Sequence, residues 1–466
     1  MAIAFSALWL ADLGMRYLVF TALGLVAAVV IAVAPDRRRL FLAVFVFCLQ
    51  LDATMFFLFR GFRRSVGWSG PPGIELPLGF IPAVVLFLMV IITTWLDSVR
   101  RWDWGGGVGR AGFLLCGASV LSLIPSNEKF LTLCSVLRAI ELLVVLLAVA
   151  NALRDYEDIR LVLWLLPVVL LTQSLVYLVE SALGATFALT GELIEQRGAI
   201  GRHGGTVGVT PAGFASFLHP LIQYALASFL VFGRRGLRWR AFLVGLGMLA
   251  MLLTYTRAAW GGMVLGGVVV VSFGFRRGLV NRRRVITVAA LALLGLAIAY
   301  PTMSMRLAGN AADAEERLGL RLMAIAVIKA RPVLGVGAGT YGFEFGKYLP
   351  DDLRDNWLYV VHNAYLLRWA ETGVLGFIGM IAFLALAARD AYSLSQSSNR
   401  EVAVFGLAWI GGLVALAWEM YWDMFEGFPY NALLWALCGF SVAVRRIDES
   451  HARAPRARVP RIAAVA

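Results

Sequence analysis

The chain has 466 residues, 60% hydrophobic and 15% charged, with a formal net charge of +13 and a mean hydropathy of +0.78. That balance excludes an ordinary soluble domain and falls among polytopic membrane proteins. The basic excess does not indicate nucleic-acid binding: arginines in short loops between apolar runs set membrane topology, and no basic patch is interleaved with aromatics.

Apolar runs of about 20 residues cross the hydrocarbon as helices. Runs this continuous are unlike the short alternating strands of a barrel. In chain order the segments fall near 17–34, 40–59, 76–96, 111–125, 130–152, 159–181, 211–232, 239–256, 258–274, 285–301, 365–388, 401–424 and 430–444. The fourth and last are short for a span. Residues 1–14 read as an interfacial helix or part of another span, without a basic n-region or small-residue cleavage site. The expected fold class is an all-α polytopic membrane protein. It has about 12–13 transmembrane helices and one large periplasmic loop containing an amphipathic helix.

The arginines orient this array. Arg37-Arg38-Arg39, Arg100-Arg101, Arg234-Arg235, Arg276-Arg277, Arg282-Arg283-Arg284 and Arg445-Arg446 share one side if the segments alternate. That side is cytoplasmic by the positive-inside rule. Residues 61–76, 182–210, the Arg257 turn, 302–361 and the 426–429 turn then face outward, with Arg63-Arg64 as outnumbered exceptions. The basic, proline-containing end, 445–461, is expected to be a disordered cytoplasmic tail near anionic lipid. Cys48, Cys116, Cys134 and Cys438 lie in apolar stretches without paired spacing and read as small apolar fillers. No fixed-period repeat and no inverted pair of broken helices is evident. The expected organisation is N-terminal transmembrane helices over 1–181, a catalytic core over 182–388 that includes loop 302–361, C-terminal transmembrane helices over 389–444, and a tail over 445–466.

Loop 302–361 carries Arg306, Arg317, Arg321, Lys329, Arg331, Lys347 and Arg354. Long loops translocate largely regardless of charge, so these cations need another explanation than topology. Residues 314–330, AEERLGLRLMAIAVIKA, have apolar residues at helical spacing and predict an amphipathic helix on the membrane face. Arg317 and Arg321 are four apart and share a face. They repel unless an anion sits between them, or they snorkel to lipid headgroups. RPVLGVGAGTY follows from Arg331: Pro332 stops the helix, and Gly335, Gly337 and Gly339 let the backbone approach a ligand or turn tightly.

His362 and Asn363 stand at the outer interface before a helix beginning near Tyr365. Imidazole is the side chain best able to move a proton near neutral pH. Arg368 and Glu371 follow three apart inside the apolar run and could pair within the helix, either for function or as a structural ion pair. Arg257 sits at an outward turn in LLTYTRAAWGG. Arg202 and His203 precede the helix opening at Pro211, where free N–H groups favour anions. Arginine suits phosphate because its planar fork bonds two oxygens at once.

RHGGTVGVTPAGFASFL from Arg202, LLTYTRAAWGG around Arg257, the amphipathic stretch ending RPVLGVGAGTY, and HNAYLLRWAETGVLG from His362 occur in this order. Together they resemble the O-antigen ligase and polymerase superfamily of bacterial membrane glycan transferases. The likeness runs from about Arg202 to Gly376. One departure is Thr210-Pro211-Ala212, where a proline-asparagine pair is usual. The resemblance implies an inner-membrane, multi-pass glycosyltransferase with its active site facing the periplasm and no cofactor; metal independence is expected because the sequence has no compact Asp/Glu/His cluster. It would move a glycan from undecaprenyl diphosphate to an acceptor hydroxyl. Arg202, Arg257 and Arg321 would hold the diphosphate, and His362 would orient or deprotonate the acceptor. Asn363, Arg317, Arg368 and Glu371 are possible supports. The acceptor is lipid A–core for a ligase or a lipid-linked repeat for a polymerase; the motifs most resemble the ligase type. No nucleic acid is implied. Asp351-Asp352 lack a nearby partner of metal-ligand type. A transporter or flippase would place ionisable residues along the midplane. Here these are few: Asp52, Arg138, Glu141, Arg368 and Glu371.

Overall fold

In a computed structural model, the structure describes residues 34–58, 69–97, 101–184, 203–208, 210–232, 236–308, 310–348 and 360–453. The expected 17–34 span and the 1–14 segment lie outside them, save residue 34. Among the described residues the chain is almost wholly helical, and it is an all-α polytopic membrane protein. Six helices among the described residues are long and apolar enough to cross a membrane.

The elements are α1 Arg37–Cys48, β1 Thr54–Phe57, β2 Ile74–Pro77, α2 Phe80–Leu96, α3 Gly106–Leu121, α4 Lys129–Ala152, α5 Tyr156–Leu183, α6 Pro211–Val231, α7 Leu237–Leu253, α8 Arg257–Arg276, α9 Arg282–Ala308, α10 Asn310–Ala330, α11 Tyr341–Glu344, α12 Ala364–Ser395, α13 Arg400–Met420 and α14 Phe428–Arg453. Polar caps open α6 and α12. The Thr210 side chain accepts from Gly213 N ahead of α6, with Pro211 in its first turn, and Asn363 accepts from Leu366 N ahead of α12. Such side chains satisfy donors that the first helical turn leaves unpaired. α13 packs against α8, α6 and α12, and α14 packs against α4.

Two expected spans are built differently. Residues 40–59 do not run as one helix: α1 ends at Cys48, and Thr54–Phe57 pairs antiparallel with Ile74–Pro77. The break falls at Gln50 and Asp52. Thr206 Oγ1 donates to the Gln50 carbonyl at 2.8 Å, Gln173 Nε2 donates to Gln50 Oε1 at 3.0 Å, and Asp52 N donates to the Thr206 carbonyl at 2.6 Å. Polar groups drawn to the 203–208 loop end the helix. The following aromatic and β-branched residues favour a strand.

The second case is α12, whose ladder breaks at Gly373 with φ +69°. The 331–340 turn docks into this break. Val336 N donates to the Ala370 carbonyl at 3.0 Å, Gly337 N to the Glu371 carbonyl at 2.9 Å, and Val374 N to the Pro332 carbonyl at 2.9 Å. A Cβ on Gly373 would stand 1.9 Å from the Val333 carbonyl oxygen. Gly373→Ala is therefore expected to lose at least about 2–4 kcal/mol through clash and left-handed strain. Thermal unfolding in detergent checks this: an unchanged midpoint would contradict the docked turn.

The basic C-terminal stretch begins as helix rather than disordered tail. α14 runs to Arg453 because its arginines find acids on other elements. Arg445 pairs with Asp390, and Arg446 Nη1 lies 3.0 Å from Asp103 Oδ2. Residues 454–466 lie outside the described residues.

α10 is the expected amphipathic helix. Leu320, Met323, Ala324 and Val327 join a cluster with Tyr341, Val360, Val361 and Leu367, separate from the main core. Leu322 and Ile325 are exposed. Each large apolar side chain so buried contributes roughly 1.5–3 kcal/mol, which holds α10 beside the start of α12.

Candidate functional site

A cavity of about 1030 Å³ opens among the starts of α6, α8 and α12, the middle of α10, the end of α13 and the 421–427 turn before α14. Arg257, Arg317, Arg321 and His362 all line it. Four sequence-predicted residues from three separate stretches thus reach one space. Arg202, the remaining predicted diphosphate ligand, lies outside the described residues, as do Arg354, Asp351 and Asp352.

Two helix N-termini open on the same cavity. Thr210, Pro211 and Ala212 line it from α6, and Thr256, Arg257 and Ala258 line it from α8. The positive end of each helix dipole faces this space, although at α6 Pro211 has no N–H and the Thr210 side chain takes that of Gly213. Together with arginine side chains these helix starts form a setting for a multiply charged anion.

The α10 arginines meet the turn after α13. Arg317 Nη1 donates to the Trp422 carbonyl at 3.5 Å. Arg321 lies over the Tyr421 ring at 4.7 Å and the Trp422 ring at 5.1 Å. Its Nη1 donates to Tyr421 Oη at 3.3 Å, and its buried Nε has no hydrogen-bond partner among the described residues. Aromatic faces fix such a guanidinium without using its donor edge. The other loop cations are employed differently. Lys347 Nζ is 2.8 Å from Glu344 Oε2, and Lys329 and Arg331 are exposed.

His362 is half-buried between Val361 and Asn363. Its Nδ1 lies 2.9 Å from the Val360 carbonyl oxygen. A carbonyl only accepts, so Nδ1 carries the proton, and in the neutral ring Nε2 holds the lone pair. Asn363 anchors the next position: besides capping α12, its Nδ2 donates to the Tyr421 carbonyl at 3.0 Å.

Arg368 and Glu371 do not pair with one another. Arg368 Nη2 lies 3.6 Å from Glu426 Oε1, and Glu371 Oε1 accepts from Tyr341 N at 3.4 Å. Helical spacing brings them near, but the 331–341 turn takes one and the 421–427 turn the other. Glu426 also accepts, through its carbonyl, from Arg138 Nη1 at 2.7 Å, and Arg138 pairs with Glu75. The glycine run after Arg331 takes the tight-turn alternative. A Cβ on Gly335 would meet the Glu371 backbone at 2.3 Å, and one on Gly337 would meet Ser126 Oγ at 2.6 Å. Its close approach is to protein, and none of the three glycines lines the cavity.

The residues not foreseen are those of α13's end and the following turn: Trp418, Glu419, Trp422, Asp423 and Glu426, all lining the cavity. Three acids within EMYWDMFE, at the end of an apolar run, were a legible signal. In the turn, burial pushes the Asp423 and Glu426 carboxyls above their usual range. His362 and Arg317 pull Asp423 back, and Arg368 and Arg138 pull Glu426 back. Beneath the cavity, His219 Nε2 lies 3.0 Å from Glu419 Oε2 with both side chains fully buried. Among the described residues, no three His, Cys, Asp or Glu side chains gather as a metal-binding group.

Fold and cavity together define a multi-pass membrane protein with a cavity lined by arginines, a histidine and a cluster of acids. Residues 224–381 match the family model described as O-antigen ligase, which supports placing the chain in the O-antigen ligase superfamily. The matched segment contains Arg257, Arg317, Arg321 and His362. The family implies a membrane enzyme that transfers glycans. No match was found among curated proteins.

Proposed function

We propose that the protein is an inner-membrane, metal-independent glycosyltransferase of the O-antigen ligase type, working at the periplasmic face. Its donor is a glycan on undecaprenyl diphosphate, and its preferred acceptor is a hydroxyl of lipid A–core. The observation that carries this reading is the convergence of two helix N-termini, Arg257, Arg317, Arg321 and His362 on one cavity.

The chemistry follows from those groups. The acceptor oxygen attacks the anomeric carbon, and the bond from that carbon to the diphosphate oxygen breaks. Negative charge grows on the departing diphosphate, where fixed guanidinium groups and helix N-termini stabilise it. The proton of the attacking hydroxyl passes to His362 Nε2, the free ring nitrogen in the neutral tautomer. Arg202, directly before His203 in sequence, is a further diphosphate ligand in this reading. Asn363 holds the start of α12 in place. Arg368 ties that helix to the 421–427 turn, and Glu371 ties it to the 331–341 turn.

Reconstitution tests the reading. Purified protein in lipid receives a lipid-linked glycan and either lipid A–core or a second lipid-linked repeat, with and without a chelator. Transfer to lipid A–core that persists with chelator is expected. Transfer only to the repeat would make it a polymerase. Activity lost to the chelator and restored by a divalent ion would refute metal independence. No transfer to either acceptor would overturn the enzymatic reading in favour of a transporter or flippase.

A further inference from the structure

The cavity is chemically divided. α8 and α10 bring Arg257, Arg317 and Arg321, while the end of α13 and its turn bring Trp418, Trp422, Asp423 and Glu426. The aromatics are packed as a unit. The Trp418 and Trp422 rings are 5.9 Å apart edge-on, and Trp422 stands 5.0 Å from Tyr421. Arg321 rests on Tyr421 and Trp422, so the basic and aromatic surfaces are contiguous at that contact. Trp422 Nε1 finds no acceptor among the described residues.

This second surface suits one kind of group. Its acids offer a diphosphate no cation, Glu426 being already matched to Arg368, so the diphosphate belongs beside the arginines. A lipid tail gains nothing from a wall that mixes aromatic rings with Asp423 and Glu426. A sugar ring matches both features: its C–H face packs on indole, and its hydroxyls donate to carboxylates. We infer that Trp422 and Trp418, with Asp423, form the subsite for the sugar directly attached to the donor diphosphate. Arg321 marks the junction between phosphate and sugar. This rests on the transferase reading above. Both tryptophans lie beyond the matched segment, which ends at residue 381.

The test is binding in lipid nanodiscs with three probes: undecaprenyl diphosphate, undecaprenyl-diphosphate-linked N-acetylglucosamine, and lipid A–core. The wild type is expected to bind the sugar-bearing diphosphate about tenfold tighter than the bare one. Trp422→Ala should erase that advantage, weakening the sugar-bearing diphosphate by clearly more than the bare one, which loses only the support of the ring to Arg321, while Trp422→Phe keeps most of it. Trp418→Ala should lose part of it. The inference is overturned if Trp422→Ala keeps the advantage. It is also overturned if the variant weakens both diphosphates alike, for then the rings only hold Arg321. A loss confined to lipid A–core would assign the surface to the acceptor and overturn it too. Failure of the wild type to bind bare undecaprenyl diphosphate would remove the transferase reading and this inference together.

Discussion

Replacing His362 by alanine is expected to slow glycan transfer by about 10²–10⁴-fold, the range contributed by a positioned general base. The protein should stay folded. The imidazole makes one hydrogen bond to a neighbouring carbonyl at 2.9 Å, and the local backbone is held by buried Val360, Val361 and Asn363. The rate loss should appear in kcat with saturating donor, because the proposed diphosphate contacts belong to other residues. Gel filtration and thermal unfolding in detergent establish that the fold survives, and single-turnover transfer gives the rate. Near-normal transfer by a folded His362→Ala protein would remove the base role.

The second large effect is expected at the arginines. Arg257→Ala should lower kcat/KM for the lipid-linked donor by about 10²–10³-fold, as for loss of one fixed donor to developing negative charge. Arg257→Lys should recover only part, since an ammonium cannot reproduce the two-pronged contact. Arg321→Lys is more informative. It keeps the charge but loses the flat stacking on Tyr421 and Trp422, so activity should fall well below wild type though net charge is unchanged. Inorganic pyrophosphate should compete with donor in the wild type and compete more weakly in Arg257→Ala. Equal competition in the two proteins would exclude Arg257 from the diphosphate site.

Much of this was legible in local sequence. Long apolar runs mark membrane helices because each helix must bury its own backbone hydrogen bonds in hydrocarbon. The four-residue spacing of Arg317 and Arg321 put both on one face of α10, and both line the cavity. Thr210-Pro211 marked a helix start before the structure located it. Other features were not legible. The glycine run of 331–341 allows either a ligand cradle or a tight turn. Only the broken ladder at Gly373 shows that it is a turn seated in α12. Arg368 and Glu371 have the spacing of a pair, yet Arg368 finds Glu426, 58 positions away in sequence. Glu419, Asp423 and Glu426 stood out as acids at the end of an apolar run, but nothing local placed them on the same cavity as Arg321 and His362.

The sequence by itself determined that this chain lives in a membrane, where several of its helices start, and that Arg257 and His362 stand at helix ends. Each of these follows from composition, periodicity or capping, which act over a few residues. Tertiary structure decided which of those ends share a cavity. It chose among the partners that local spacing left open, and it brought the aromatic, acidic turn after α13 beside Arg321. Those outcomes depend on contacts between residues tens to hundreds of positions apart. Burial and charge pairing across helices settle them, and no local pattern encodes either.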